Sequence, residues 1–124
     1  MKIGLDIHGT IDKDPKLFEF LSKYFVNNGH EVHIITGSMK TPEIEKKLKE
    51  EYKITYTHFF SVSDYLISQG KQVSFSSPDN PWFDNDEWVK AKGEYCKREN
   101  ILIHLDDNEE YKKYFPKNTR FIKW

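Results

Sequence analysis

Residues 2–10 read Lys-Ile-Gly-Leu-Asp-Ile-His-Gly-Thr, and the fold prediction begins with them. The short apolar run, β-branched at Ile3 and Ile7, is typical of a buried strand. Gly9 and Thr10 end the run and predict a loop after it. Because the run does not alternate between polar and apolar residues, it indicates a strand that is covered on both faces, as in a parallel sheet.

The rest of the chain alternates strand and helix patterns. Strands are predicted over 31–36, 54–62, 101–105 and 120–122, with a small extra strand at 73–75; helices are predicted over 15–28, from Thr41 to Tyr52, and over 63–67, 86–98 and 111–115. This alternation predicts a Rossmann-like, three-layer α/β/α domain with a mostly parallel sheet. Residues 76–86, dense in Ser, Pro, Asn and Asp, predict a long irregular loop.

The composition indicates one domain over residues 1–124 and limits the classes of partner that this domain is expected to bind. Nineteen Lys and Arg against twenty Asp and Glu give a net charge of −1, which argues against binding to duplex DNA or to an anionic membrane. The single cysteine, Cys96, allows neither an internal disulfide nor a cysteine-based zinc cluster. No stretch resembles a signal peptide or a membrane span, so we expect a cytoplasmic domain.

Polar residues follow three of the predicted strands. They are Asp6, His8, Gly9 and Thr10; Thr36, Gly37 and Ser38; and Asp106, Asp107 and Asn108. The carboxyl ends of parallel strands meet at one edge of a sheet, so these residues are expected to lie together. Burying several acids together is costly without a cation, and hard oxygen ligands favour Mg²⁺. The sequence therefore predicts a Mg²⁺ site beside glycine-containing turns that suit a phosphate group.

These segments resemble, in order and over nearly the whole chain, the motifs of the haloacid dehalogenase superfamily. Residues 6–10 match its first motif, Asp-x-Asp-Gly-Thr, except that His8 stands in place of the second Asp. Thr36 matches the Thr or Ser that ends the second core strand, and residues 106–107 match the late acidic pair. Four motifs in register are far more specific than any one of them alone.

The superfamily's remaining motif is a lysine near the start of the helix before the acidic pair. Lys90 and Lys92 are both candidates, and Lys92-Gly93-Glu94 resembles the common Lys-Gly version more closely. The resemblance implies that this lysine pairs with both the phosphoryl group and Asp6.

The resemblance implies a phosphomonoester hydrolase in which Asp6 attacks phosphorus and water then hydrolyses the aspartyl-phosphate. Mg²⁺ would be bound by Asp6, the main-chain carbonyl of His8, Asp106 and, through a water, Asp107. Thr36 would donate a hydrogen bond to a phosphoryl oxygen.

Backbone groups complete the implied phosphate site. N–H groups at Gly9, Thr10 and Gly37 are expected to contact the phosphate because glycine lets the backbone approach it closely.

His8 is the departure from the family pattern, since it replaces the aspartate that acts as general acid and base. Histidine can do the same chemistry, because its unperturbed pKa of about 6.5 is close to neutral pH. The alternative is a phosphate- or nucleotide-binding protein that kept the fold and lost turnover. Carbon–halogen cleavage is a weaker alternative, because those members of the superfamily do not need the metal that Asp106-Asp107 implies.

The sequence leaves no room for the cap domain that the superfamily often inserts. Residues 61–84 form the only insertion-like stretch, too short for an independent domain, so an open site is expected. Such a site suits a nucleotide or an accessible macromolecular phosphate, or a second subunit that completes the pocket. Trp82, Phe83 and Trp88 are interpreted as anchors of the loop, with stacking on a base as the alternative.

Four histidines lie outside these motifs, and three of them are interpreted from the sequence. His30 and His33 have the spacing of metal ligands, but one falls in a turn and the other on a strand, so no metal is assigned to them. His104 lies two residues before Asp106 and is interpreted as a packed or hydrogen-bonded histidine.

Overall fold

A computed structural model describes residues 1–77 and 80–124, with the side chains of 72–82 left out of the description. Within these residues the strands are β1 (Lys2–Leu5), β2 (Glu31–Thr36), β3 (His58–Ser61), β4 (Gln72–Ser77), β5 (Asn80–Phe83), β6 (Ile103–Asp106) and β7 (Arg120–Lys123). The helices are α1 (Pro15–Asn27), α2 (Pro42–Lys46), α3 (Val62–Ser68) and α4 (Asn85–Glu99). Shorter helical turns cover Ile7–Ile11, Lys47–Glu51 and Glu109–Tyr114.

The main sheet has five strands in the order β3-β2-β1-β6-β7, and every neighbouring pair is parallel. The predicted α/β class with a mostly parallel, Rossmann-like sheet is confirmed at this level. The chain runs outward from β1 to β3 and then returns to place β6 on the other side of β1. The point between β1 and β6 is therefore a topological switch point, where ligands bind in open α/β sheets.

Two apolar clusters cover the two faces of the sheet. Val32 and Ile34 of β2 pack in one cluster with Phe18 of α1. Ile35, which points to the opposite face, packs in the other cluster with Leu66 of α3. The continuous apolar run of β2 is thus explained by burial on both of its faces.

Local signals set several helix ends. Pro15 starts α1, and Gly29, with φ +82°, follows its end in the left-handed region that favours glycine. The Thr41 hydroxyl accepts a hydrogen bond from the Ile44 N–H at the start of α2, as predicted. The Asp84 side chain caps α4 in the same way.

The third predicted strand, over 54–62, is much shorter in the structure and covers His58–Ser61. Two N–H groups before it are satisfied away from any sheet: Ile54 donates to the Leu48 carbonyl and Thr55 donates to the Ser22 hydroxyl. Apolar and β-branched composition predicted the strand, but these hydrogen bonds hold the segment in another conformation.

The predicted irregular loop over 76–86 was wrong in three places. Residues 76–77 belong to β4, which also covers the small strand predicted over 73–75. Residues 80–83 form β5, which pairs antiparallel with β4, and α4 already begins at Asn85. A proline at position 81 is compatible with this ribbon, because each strand of an isolated two-stranded ribbon has one free edge. Residues 78–79 of this loop lie outside the described residues.

None of the helices in the described part of the chain has the length and apolar character needed to cross a membrane.

Candidate active site

Asp6 lies directly after β1 at the switch point. Its backbone N–H donates to the Leu105 carbonyl of β6 at 3.0 Å, and its side chain is buried, with 6% of the residue exposed. Gly9 follows in a left-handed conformation with φ +84°. A Cβ at Gly9 would collide with the Asp107 carboxylate, so glycine is needed there both for the turn and for the approach of Asp107.

Lys92 joins two acidic residues from different strands. Its Nζ lies 3.1 Å from Asp6 Oδ1 and 2.7 Å from Asp106 Oδ2, and the lysine is 4% exposed. Lys90 is exposed and takes no part in this cluster. Of the two lysines that the sequence left open, the structure brings Lys92 to the acidic residues.

Gly93 explains how α4 comes close enough for Lys92 to reach them. A Cβ at Gly93 would collide with the Tyr114 carbonyl, so the absence of a side chain lets the helix pack directly on the turn that follows β6.

The three buried charges have different protonation tendencies. Burial raises the pKa of Asp6 to about 7, although Lys92 opposes the shift, and the charge of Asp106 adds to it. Burial also disfavours ionised Asp106, but the hydrogen bond from His104 and the charge of Lys92 outweigh it and hold the pKa of Asp106 well below its usual range. Burial alone would lower the pKa of Lys92, but the two carboxylates raise it. Lys92 is therefore a permanent cation between an ionised Asp106 and an Asp6 that titrates near neutral pH.

Asp106 is held at both of its oxygens. His104 Nε2 lies 3.0 Å from Oδ2, and the Asn108 N–H donates to Oδ1 at 3.0 Å. His104 is fully buried and stacks on Phe115 with 5.1 Å between ring centroids. The prediction of a packed, hydrogen-bonded histidine at position 104 agrees with these contacts.

Thr36 and the turn after β2 form a second wall. Thr36 is 1% exposed, and its hydroxyl oxygen accepts a hydrogen bond from the Ser38 N–H at 3.2 Å. Gly37 lies against the Trp88 ring so closely that a Cβ would approach the ring to 2.8 Å. The small residue thus brings the backbone of this turn next to the aromatic side chain.

His8 lies at the rim, with 65% of its side chain exposed. Its Nε2 is 3.1 Å from the Ser38 hydroxyl, and its Nδ1 is 3.7 Å from Asp12 Oδ2. The imidazole therefore connects the loop after β1 with the loop after β2. From this exposed position it can contact a molecule that is bound in the cavity.

A cavity of about 640 Å³ brings most of the predicted site residues together, namely Asp6, His8, Thr36, Gly37, Lys92, Asp106 and Asp107. Gly9 and Thr10 do not line it. The Gly9 N–H donates to Asp12 Oδ1 at 2.7 Å, and Thr10 is completely buried. In this conformation the Gly9 N–H thus bonds to Asp12, and the phosphate contacts expected of Gly9 and Thr10 stay predictions.

The sequence did not predict the contacts that Trp88 and Tyr111 make in the cavity. The Lys92 ammonium lies 4.9 Å from the centroid of the Tyr111 ring, and Trp88 Nε1 donates to the Tyr111 hydroxyl at 3.2 Å. Trp88 is four residues before Lys92 on one helix, and this spacing was the available signal that both face the cavity. Phe83 stacks on Trp88, in keeping with loop anchoring, whereas the Trp82 side chain lies outside the described residues.

The donor set of this cavity fits a hard divalent cation. Asp6, Asp106 and Asp107 each offer a carboxylate oxygen, and these oxygens lie within 4.8 Å of one another. All-oxygen ligands suit Mg²⁺ better than zinc or copper. A cation would also offset the excess of negative charge over the single ammonium of Lys92.

Comparison with known proteins leaves the family open. No family model matches the chain, and no solved structure matches it. A probable alpha-galactosidase A of Aspergillus fumigatus is 27% identical over 85 residues, which cover 62% of this chain. The match covers only 16% of that protein's own length, so it assigns neither a family nor an activity to this chain.

Proposed function

We propose that the chain is a Mg²⁺-dependent phosphomonoester hydrolase of the haloacid dehalogenase type, with Asp6 as its nucleophile. The observation that carries the proposal is the convergence of Asp6, Lys92, Asp106 and Asp107 on one cavity at the switch point of a parallel sheet. These residues come from three separated segments and match the motifs of that superfamily in order. A charged cluster of this kind, in a cavity and with a shifted pKa at Asp6, is typical of an active site.

In this proposal Asp6 attacks the phosphorus of the substrate. Lys92 holds Asp6 Oδ1, which leaves Oδ2 as the attacking oxygen. A bond forms between Oδ2 and phosphorus while the ester P–O bond breaks, and the leaving oxygen takes a proton. Water then attacks phosphorus, releases inorganic phosphate and restores the Asp6 carboxylate.

His8 is assigned the proton transfers. From the cavity rim, the imidazolium would donate a proton to the leaving oxygen, and the neutral imidazole would then accept one from the attacking water. The contacts with Ser38 and Asp12 would keep the ring directed across the cavity. The chain would thus replace the family's acidic residue with an imidazole, which can both donate and accept a proton.

Other residues would bind the phosphoryl group and the cation. The Thr36 hydroxyl already accepts from Ser38, so its own proton is free to be donated to a phosphoryl oxygen. Mg²⁺ would be held by Asp6, Asp106, Asp107 and the His8 carbonyl, and it would supply neutralisation of the negative charge that otherwise repels a phosphate.

The substrate is proposed to enter an open site without a cap domain. Residues 61–84, the stretch where a cap could have been inserted, contain α3 and the small β4–β5 ribbon. A nucleotide or an accessible phosphate on a macromolecule would fit such an entrance. As an alternative, the sequence predicts that a second subunit completes the pocket, and this stays a prediction.

Hydrolysis of a generic aryl phosphate across pH, with and without Mg²⁺, tests this proposal. Wild type should turn over only with Mg²⁺, and Asp6→Asn should lose at least about a thousandfold in kcat. Asp14→Asn is the matched control, because Asp14 is exposed and bonds to Trp124 outside the cavity. Full activity of Asp6→Asn would disprove the nucleophilic role.

His8 favours one alternative function, a phosphate- or nucleotide-binding protein without turnover. His8→Asp separates the two, because a hydrolase adapted to histidine should lose rate or shift its pH profile. A binding protein should instead gain hydrolysis on the same change. Titration with inorganic phosphate, with Mg²⁺ present, measures binding in either case.

A further inference from the structure

A second group of ionisable side chains lies at the opposite edge of the sheet, where β2 and β3 begin. Glu31 and His33 lie two residues apart on β2 and so on the same face, and His58 is the register partner of His33 on β3. Each offers one ligand atom, and the three atoms lie within 4.8 Å of one another. The proposed hydrolase uses none of these residues.

His33 is already oriented as a metal-binding histidine would be. It is completely buried, its Nδ1 lies 2.7 Å from the Tyr95 hydroxyl, and its Nε2 lies 2.9 Å from Glu31 Oε1. Histidines that bind metals are held in this way, with one nitrogen fixed by a neighbouring polar group and the other facing the ion. Tyr95 therefore directs Nε2 toward the Glu31 carboxylate, to which Nε2–H donates when no metal is bound. To bind a metal, the neutral ring would carry its proton on Nδ1, donate it to the Tyr95 hydroxyl oxygen, and offer the lone pair of Nε2 to the ion.

The charges at this edge also suit a cation. Burial lowers the pKa of His33, and the hydrogen bond from His33 lowers the pKa of Glu31. Neutral imidazole and ionised carboxylate are the forms that coordinate metals. Lys2 Nζ lies 3.9 Å from Glu31 Oε2, so it faces the other oxygen of that carboxylate and leaves Oε1 toward the imidazoles.

His58 supplies the movable part of the cluster. Its ring lies parallel to that of His33, with 4.1 Å between centroids and 6° between planes. Two parallel rings cannot both direct an in-plane lone pair at one ion, so His58 must turn to coordinate. Its side chain is 47% exposed, and its Nδ1 is 3.5 Å from Glu31 Oε1, so a turn needs no opening of the core.

We propose that Glu31, His33 and His58 bind one divalent transition-metal ion of the zinc class. Two imidazole nitrogens and one carboxylate oxygen form a ligand set that Zn²⁺ accepts and that Mg²⁺ disfavours. A water molecule would complete the tetrahedral set on the exposed side. The ion would join the starts of β2 and β3 and, through Tyr95, fix both to α4.

Calorimetric titration of the untagged chain with Zn²⁺, in excess Mg²⁺, tests this site. Excess Mg²⁺ would compete with Zn²⁺ for the carboxylates of the cavity. Asp106→Asn, which removes one of those carboxylates, should keep the Zn²⁺ binding because Asp106 lies outside the cluster of Glu31, His33 and His58. We expect one Zn²⁺ per chain, and at least about tenfold weaker binding in both His58→Ala and Glu31→Gln. His30→Ala is the matched control, since His30 lies outside the cluster beside the N-terminus, and it should bind as wild type does.

Three results would overturn the proposal: no binding at micromolar Zn²⁺, equal binding by His58→Ala and wild type, or the same loss in His30→Ala. His58 is half exposed, so its variant is expected to fold, and circular dichroism checks that it does. Co²⁺ gives an independent readout, because tetrahedral coordination by nitrogen produces visible absorption bands that His58→Ala should lack.

Discussion

The carboxyl edge of the central sheet, where its strands end, and the amino edge, where they begin, both hold buried ionisable groups. Only at the amino edge do these groups have a balanced set of partners. At the carboxyl edge, buried Asp6 and Asp106 face a single cation, Lys92, and open into a cavity. At the amino edge, buried His33 is matched by Glu31 and by a neutral hydroxyl group. Buried charge without a full set of partners is costly, which supports our proposal that a ligand supplies those partners at the carboxyl edge.

Removing Lys92 should have the largest effect on stability. Lys92→Met leaves two buried carboxylates without their cation and should lower the free energy of unfolding by about 3–5 kcal/mol, measured by urea unfolding without divalent ions. Lys90→Met, on the exposed side of the same helix, should change it by less than about 0.5 kcal/mol. Equal effects of the two substitutions would remove the contrast between the edges.

The pH dependence of stability that Asp6 contributes should have the opposite sign to that contributed by His33 and Glu31 at the amino edge. The pKa of Asp6 is raised from 3.8 to about 7, so the folded chain binds more protons between these values, and its stability should fall as pH rises through them. Asp6→Asn should remove a decrease on the order of 4 kcal/mol, measured without divalent ions. The lowered pKa values of His33 and Glu31 should instead cost stability as pH falls. A wild-type profile unchanged by Asp6→Asn would contradict this assignment.

Mg²⁺ should stabilise the carboxyl edge and not the amino edge. At a concentration of 100 times its Kd, a ligand that binds only the folded chain adds about 2.7 kcal/mol, which a thermal melt detects as a higher Tm. Asp106→Asn should abolish this gain, whereas Glu31→Gln should keep it. If Glu31→Gln lost the Mg²⁺-dependent increase in Tm, the assignment of Mg²⁺ to the carboxyl edge would be contradicted.

The smallest effect is expected from Tyr95→Phe at the amino edge. This change removes one hydrogen bond to His33 and should cost about 0.5–1.5 kcal/mol in urea unfolding without metal. In a Zn²⁺ titration it should also weaken binding about tenfold, because the His33 ring is no longer held. A much larger loss of stability would mean that the amino edge is not balanced by its own partners.

The sequence predicted a strand of the sheet well where burial on both faces gives that strand a continuous apolar run. The bounds of β2 match the prediction at both ends, and α1 ends at Asn27, one residue before its predicted end. The order of segments also predicted which residues meet at the carboxyl edge, because parallel strands must end there together. The ends of the predicted strands thus indicated the positions of Asp6, Thr36 and Asp106.

Other features depend on contacts that no local pattern records. The apolar segment around Ile54 bonds to a helical turn instead of a strand, and the Gly9 N–H bonds to Asp12 instead of facing the cavity. To choose between Lys90 and Lys92, one must know which face of α4 turns toward the cavity. The many charged residues of α4 obscure that face in the sequence. The amino-edge cluster was missed because His58 and His33 are brought together only by strand register.

Mass spectrometry of the protein, quenched in acid during turnover of an aryl phosphate, tests the central claim most directly. We expect the peptide that contains Asp6 to carry one phosphoryl group on that residue, and Asp6→Asn to carry none. Turnover with an unmodified Asp6, or with the phosphoryl group on His8, would contradict the account.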